Sequence, residues 1–272
     1  FQILGSLVLG LVLLAATGCD TVGSSADDAA DTEPGSNTVT VGFSLASSDA
    51  KSGVAAKASD DTTLVVEGSN GTLRLYDVRL IVAEMKLKVE DDSTGEGPDF
   101  ETPATYLDLP LSATTVAPVA SAEIPEDTYK AFEFEVEDVD PSDDDLSVEE
   151  REHLEALFNT IRESYEDWPV EASMVVVGTF TPTEGETDDF RVYFDAEIEV
   201  ELEFDPPLEV TADGLSRSVT VRLDPAQWFL RPDGSVLNLT EFDYAATEAL
   251  FELEAEFEDG VTEIEVGDGE DG

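Results

Sequence analysis

The clearest pattern in this chain is a strict alternation of apolar and acidic residues. From residue 190 to residue 205, apolar side chains occupy the even positions and mostly acidic side chains the odd positions. The same alternation recurs in 132–137 and 251–258. Successive side chains of a strand point to opposite faces, so each segment is predicted to be a strand with one buried face and one face in water.

Turn signals separate the predicted strands. The dipeptides Asn70-Gly71, Asp213-Gly214, Asp233-Gly234 and Asp259-Gly260 are typical of hairpins, and the last is predicted to join 251–258 to 261–266. The segment Leu73–Val89 is also strand-like, with a bulge or bend expected between Tyr76 and Ile81 because the parity of its apolar residues changes there. Together these patterns predict an all-β fold, an antiparallel β-sandwich of about a dozen strands.

One segment breaks the period of two and predicts a helix over 147–166. Ser147 and Glu150 form a capping box, and Pro169 lies beyond the helix end. Its apolar residues recur at helical spacing, namely Leu154, Leu157, Phe158, Ile161 and Tyr165. This amphipathic helix is inserted midway and either packs on the sandwich or connects two β-domains. We favour one domain, 38–266, followed by a disordered acidic tail, 267–272.

The N-terminal segment resembles a bacterial lipoprotein signal. The run Leu-Leu-Ala-Ala-Thr-Gly ends at Cys19, the only cysteine. We therefore expect a signal peptide over 1–18, truncated at its start because a signal normally opens with positive charge. Residues 19–37 are predicted to be a lipidated flexible tether with a span on the order of 20–25 Å. The alternative is a buried N-terminal strand or helix.

This interpretation places the protein in the cell envelope, bound to membrane lipid through Cys19. The outer membrane or cell surface is favoured over the inner membrane, although Asp20 leaves the choice open because enteric-type bacteria use an Asp there for inner-membrane retention.

The most informative feature of the composition is the strongly negative net charge. The chain has 64 acidic and 13 basic residues, a formal net charge of −51. Such a surface excludes nucleic acid as a partner, since phosphate binding needs Lys and Arg. Its 41% hydrophobic content suffices for a core, so the acids are expected to decorate a folded surface. We interpret this as adaptation to high salt, where like charges are screened. A calcium-rich surface and solubility tuning are the alternatives.

No catalytic residues are predicted. His153 is the only histidine, and no nucleophile setting accompanies it. Paired carboxylates of a glycosidase-like hydrolase stay open as an alternative, because so many acids would supply a pair by chance. We therefore expect a protein that is not an enzyme and requires no cofactor.

Two weaker binding sites follow from particular residues. Asp138, Asp140, Ser142 and Glu149 stand at positions 1, 3, 5 and 12 of a calcium-type loop, although Asp143 replaces the required Gly. The alternative is a solvated acidic turn that caps the helix. Trp168 and Trp228 are candidates for stacking on a carbohydrate, with core packing as the alternative.

Two further segments carry a family resemblance. The run Ile-Pro-Glu-Asp-Thr-Tyr at 124–129 leads into a strand at 132–136, and Phe-Asp-Pro-Pro-Leu at 204–208 precedes the segment 219–229. Both resemble secreted bacterial β-sandwich lipoproteins of unknown function, here of an acidic halophile type, with Asp127 where that group usually has Gly. The resemblance implies no activity.

We therefore predict a lipid-anchored envelope protein that is a binding or structural module, with a carbohydrate or an envelope protein as its partner. The alternatives are a secreted carboxylate-based hydrolase and a subunit of a surface assembly.

Overall fold

The computed structural model describes residues 37–46, 57–58, 63–89, 100–112, 114–211, 216–252 and 260–268. All of them fall in the compact unit that spans residues 34–272. The predicted signal peptide and Cys19 lie outside the described residues. None of the helices within the described ranges is both long enough and apolar enough to cross a membrane.

The described chain is mostly sheet, with few helices. In chain order the strands are β1 Thr38–Leu45, β2 Lys57–Ala58, β3 Leu64–Gly68, β4 Gly71–Val89, β5 Phe100–Thr102, β6 Thr105–Asp108, β7 Val116–Glu123, β8 Asp127–Val136, β9 Met174–Pro182, β10 Asp188–Asp195, β11 Ile198–Val210, β12 Ser216–Leu223, β13 Phe251–Glu252 and β14 Val261–Asp268. The helices are α1 Val148–Ser164, α2 Ala226–Phe229 and α3 Tyr244–Thr247, with a 3-10 turn at Leu239–Phe242.

The smaller sheet has the order β14-β12-β1-β7. Its central pair, β1 and β12, runs parallel, with Val41 opposite Val219. The prediction of a purely antiparallel arrangement is therefore wrong here. Alternation reports which face of a strand is buried but carries no information on the direction of its neighbour.

The larger sheet is organised around β4. Strand β9 begins at Met174, opposite Leu80 of β4, while β8 ends at Val136, opposite Val82. Strands β8 and β9 thus lie end to end along β4, and the chain that carries α1 leaves the sheet at the junction between them. This placement sets α1 on one half of the sheet only.

The predicted strand over 190–205 follows the same junction. It is divided into β10, paired with β9, and β11, paired with β8. Ala196 and Glu197 form the break between them. The face alternation was predicted correctly, and the interruption arises because the strand changes partner.

Inward residues of the two sheets form one hydrophobic cluster. Phe43 of β1 meets Phe134 of β8 edge to face, with ring centroids 5.3 Å apart. Val41, Val219 and Leu80 belong to the same cluster, so the core lies between the sheets.

Two local predictions are confirmed. Helix α1 starts after Ser147, and both hydrogen bonds of the capping box with Glu150 are present. The pairing of β4 with β9 shifts register between Leu75 and Asp77, at the expected bulge.

The predicted hairpin at Asn70-Gly71 is confirmed, since it joins β3 to β4, but the hairpin predicted at Asp259-Gly260 is wrong. Strands β13 and β14 belong to different sheets, so Asp259-Gly260 does not close a hairpin between them. Gly260 serves close packing instead, since a Cβ there would lie 2.0 Å from Nε1 of Trp228. Asp213-Gly214 lies outside the described residues, and its flanking strands β11 and β12 are in different sheets. The first two residues of the predicted acidic tail, 267 and 268, belong to β14, and the rest of that tail lies outside the described residues.

Candidate functional site

The face of the larger sheet that points away from the smaller sheet has two different halves. The covered half consists of the outer residues that lie under α1, which are Arg79, Ile81, Val175, Val177, Arg191 and Tyr193. The open half consists of the charged outer residues of β4, β8 and β11, which are Glu84, Lys86, Lys88, Glu133, Glu135, Glu199 and Glu201.

The covered half forms a second apolar core. Phe158 and Ile161 of α1 are buried in a cluster with Ile81, Val175 and Tyr193. Trp168, just after the helix, packs edge-on against Tyr193 with ring centroids 5.4 Å apart. These contacts fix the position of α1 on the sheet.

Polar contacts bind the end of α1 to the covered half. The hydroxyl of Tyr165 donates to Oδ2 of Asp77 at 2.6 Å, and Nε of Arg79 donates to Oδ1 of the same carboxylate at 2.9 Å. The Arg79 guanidinium also lies 5.4 Å from the Tyr165 ring centroid. Burial, followed by the hydrogen bond to Asp77, raises the pKa of Tyr165. Tyr165 therefore stays neutral and acts as a donor at physiological pH.

The open half places like charges side by side. Glu84, Glu135 and Glu199 face one another across three neighbouring strands. Oxygens of Glu133, Glu135 and Glu199 come within 4.8 Å of one another. Burial, reinforced by the charge of Glu84, raises the pKa of Glu135. Like charges directly opposite one another are destabilising in a sheet.

Two lysines partly neutralise the open half. Nζ of Lys88 donates to the buried carboxylate of Glu133 and to Oε2 of Glu201 at 2.6 Å. Lys86 forms an ion pair with Glu84. The open half keeps an excess of carboxylates despite these pairs.

A cleft of about 620 Å³ lies where the two halves meet. Its walls come from β4, β5, β8, the loop before α1 and the first turns of α1. The lining residues are Ala83, Glu84, Glu101, Thr102, Pro103, Ala104, Glu135, Val139, Leu146, Glu149, Glu150, His153 and Leu154. The cleft is thus apolar in part and acidic in part.

One hydrogen bond connects the helix wall of the cleft to the sheet wall. His153 of α1 lies 2.6 Å from the carbonyl oxygen of Ala104 through Nε2. Since a carbonyl can only accept, Nε2 carries the proton. The sole histidine thus makes a positioning contact between α1 and the sheet wall.

The predicted calcium ligands are not brought together. Asp140 Oδ1 accepts from the backbone N–H of Ser142 at 2.7 Å, which makes a local turn and lowers the pKa of Asp140. Asp138 is half-buried, and Glu149 lies exposed in the first turn of α1. Among the described acidic residues, Asp138, Asp140 and Glu149 form no group with oxygens within 4.8 Å. The loop is a turn that leads into a helix cap.

Both candidates for carbohydrate stacking are buried, which favours the alternative of core packing. Trp168 is 3% exposed and donates through Nε1 to the carbonyl oxygen of Ala172 at 2.9 Å. Trp228 is 6% exposed and packs against Gly260. Neither indole has a face open to a sugar, because both rings pack in the hydrophobic cores.

Sequence reasoning missed the cleft and the division of the outer face. A signal was present in the continuous apolar run Met174–Val177, which departs from the period of two. A strand that is buried on both faces has a continuous apolar sequence of this kind. The run therefore indicated that another element packs over the outer face of β9.

Comparison with known proteins gives no relative. No family model matches this chain, and no curated protein or solved structure matches it. The geometry of the site therefore carries the functional argument alone.

Proposed function

We propose that this protein is a lipid-anchored binding module of the cell envelope, adapted to high salt, and that the cleft between α1 and the larger sheet is its binding site. One observation carries the proposal, a concave site of about 620 Å³ whose lining is apolar in part and acidic in part. Pockets for small molecules have this size and mixed lining. We interpret the two sheets as a β-sandwich that serves as the rigid support.

The anchor is the part of this proposal that rests on sequence. Export followed by lipid attachment needs the thiol of Cys19. We expect the wild-type protein to partition into detergent and the membrane fraction, and Cys19→Ser to lose that behaviour or to accumulate as uncleaved precursor. Identical, purely aqueous partitioning of both chains would contradict the anchor.

The binding site has a separate test. Pro103 is an exposed residue of the cleft wall, so Pro103→Trp should fill the cleft without disturbing the core. In a screen of small molecules by NMR, we expect ligand-induced shifts at residues of α1 and β5, and their loss in Pro103→Trp. Shifts that survive this substitution would place binding elsewhere.

A second candidate function, membership of a surface assembly, is favoured by strand β7. No charged residue occurs between Asp108 and Glu123, so β7 carries no charge before its last residue. Among the described strands, β7 is an outer strand of the smaller sheet. A neutral edge is where a second, equally acidic copy could pair without repulsion.

Sedimentation of the full chain in about 1 M NaCl tests this second candidate. We expect a dimer that forms with rising concentration and is lost in Ser121→Lys, which charges the edge, but not in Thr160→Lys, which charges the exposed surface of α1. A monomer at all concentrations would exclude it.

A further inference from the structure

We infer that the cleft binds a small organic cation with an apolar body, an inference that rests on the proposed binding function and names its ligand class. Five carboxylates line the cleft, from Glu84, Glu101, Glu135, Glu149 and Glu150. Among the described residues that line it, there is neither a lysine nor an arginine. The potential inside the cleft therefore favours positive charge.

The carboxylates surround the cleft from three directions. Glu84 and Glu135 project from the sheet, Glu101 lies on β5, and Glu149 and Glu150 lie in the first turn of α1. A cation placed between them is attracted by carboxylates on each wall. An anion would meet repulsion from each wall, so the arrangement is selective as well as attractive.

Not all five carboxylates are available to a ligand. Glu150 is used in the capping box, and Glu84 forms an ion pair with Lys86. For Glu101, Glu135 and Glu149, no ion pair with a described basic group is present within 4.0 Å. These three are the groups that a bound cation would neutralise.

The remaining walls explain why the ligand needs an apolar body. They are formed by Ala83, Pro103, Ala104, Val139, Leu146 and Leu154. An inorganic ion alone would not cover these apolar walls, which would stay in contact with water. In about 1 M salt the Debye length is roughly 3 Å, so attraction at a distance is lost and direct contact must hold the ligand. Apolar burial is not weakened by that screening.

Three probes of the same shape test the ligand class. Phenethylammonium, 2-phenylethanol and phenylacetate share one phenyl body and differ in charge. By calorimetry on the full chain in about 1 M NaCl, we expect the cation to bind at least about tenfold more tightly than the neutral alcohol, and the anion not to bind.

A matched pair of double variants identifies the carboxylates. Glu101→Gln with Glu149→Gln removes two charges inside the cleft, and Glu197→Gln with Glu203→Gln removes two exposed charges outside its lining. We expect the first to weaken cation binding about tenfold and the second less than twofold. Equal unfolding midpoints would confirm that both remain folded.

The possible outcomes distinguish a wrong ligand class from a wrong binding site. If alcohol and cation bind equally and Pro103→Trp abolishes both, the cleft is a binding site but the cation inference is wrong. If both double variants bind the cation alike, the acidic lining does not recognise it and the inference is also wrong. If no probe binds, the inference falls, while the anchor is judged by Cys19→Ser alone.

Discussion

The two halves of the outer face differ although the same long strands run through both. On the covered half, outer positions such as Ile81, Val175 and Tyr193 are apolar and α1 buries them. On the open half, the equivalent positions are Glu and Lys, and strict alternation is kept. The comparison shows that the pattern of side chains on the outer face decides where α1 can pack. The cleft lies at the border between the covered half and the open half.

The two halves are also stabilised by different forces. Burial of apolar area on the covered half contributes roughly 25 cal/mol per Å² and responds little to screening by salt. On the open half, rows such as Glu84, Glu135 and Glu199 repel one another, and the surface pairs of Lys86 and Lys88 offset only part of this. The covered half should respond to cavities, and the open half to salt and pH.

The largest effect is expected from a cavity on the covered half. Phe158 is fully buried between α1 and the sheet, so Phe158→Ala should lower the free energy of unfolding by about 3–5 kcal/mol. Urea denaturation measures this. The control Val148→Ala removes an apolar side chain that is 71% exposed and should change stability by less than about 0.5 kcal/mol. A loss below about 1 kcal/mol for Phe158→Ala would show that α1 does not cover the sheet.

A smaller effect is expected from the polar contact of the same half. Tyr165→Phe deletes the hydrogen bond to the carboxylate of Asp77 and should cost about 1.5–3 kcal/mol. Tyr76→Phe is a matched control, since among the described residues that hydroxyl bonds to the neutral hydroxyl of Thr179 at 3.2 Å, and Tyr76 is 48% exposed. Equal costs for the two variants would show that the half-buried carboxylate of Asp77 gives Tyr165 no special role.

The smallest effect is a pH dependence of the open half. The pKa of Glu135 is raised in the folded protein, first by burial and then by Glu84, so folding favours its protonated form. That contribution is fully present below the ordinary value of 4.5 and is lost as pH rises through the folded pKa. In low salt, stability should therefore increase as pH falls from 7 toward 5, and this increase should shrink in Glu135→Gln.

Further acidification should reverse the trend. Hydrogen bonds from Ser142 and Ser147 lower the pKa values of Asp140 and Glu150, so their contribution is lost once pH falls below the ordinary carboxylate range. Urea denaturation between pH 3 and pH 7 should show a maximum on the acidic side of neutrality. If the free energy of unfolding depends on pH in the same way in wild type and in Glu135→Gln, Glu135 is not the source of the increase in stability below pH 7.

Local features of this fold were predictable from sequence. Alternation identified the strands and their buried faces, and helical spacing with the Ser147 and Glu150 box identified α1. These signals arise from neighbours within about one turn of helix or a few residues of strand, so a single sequence carries them.

Pairing and the site were not predictable in the same way. That β1 runs parallel to β12, or that the segment 190–205 changes partner at Ala196, depends on contacts between distant residues. Burial of Trp168 and the formation of the cleft depend on where α1 packs on the sheet, and burial of Trp228 depends on contacts in the core between the sheets. Only the apolar run at Met174–Val177 hinted at that position.

The central claim is that apolar burial stabilises the covered half, whereas the open half is destabilised by repulsion that salt can screen. The direct measurement is the free energy of urea unfolding at pH 7 between about 0.1 M and 1 M NaCl, where the Debye length falls from roughly 10 Å to 3 Å. We predict that wild-type stability rises across this range, that Glu135→Gln with Glu199→Gln rises less, and that Phe158→Ala stays parallel to wild type. A flat or falling wild-type curve would contradict the account.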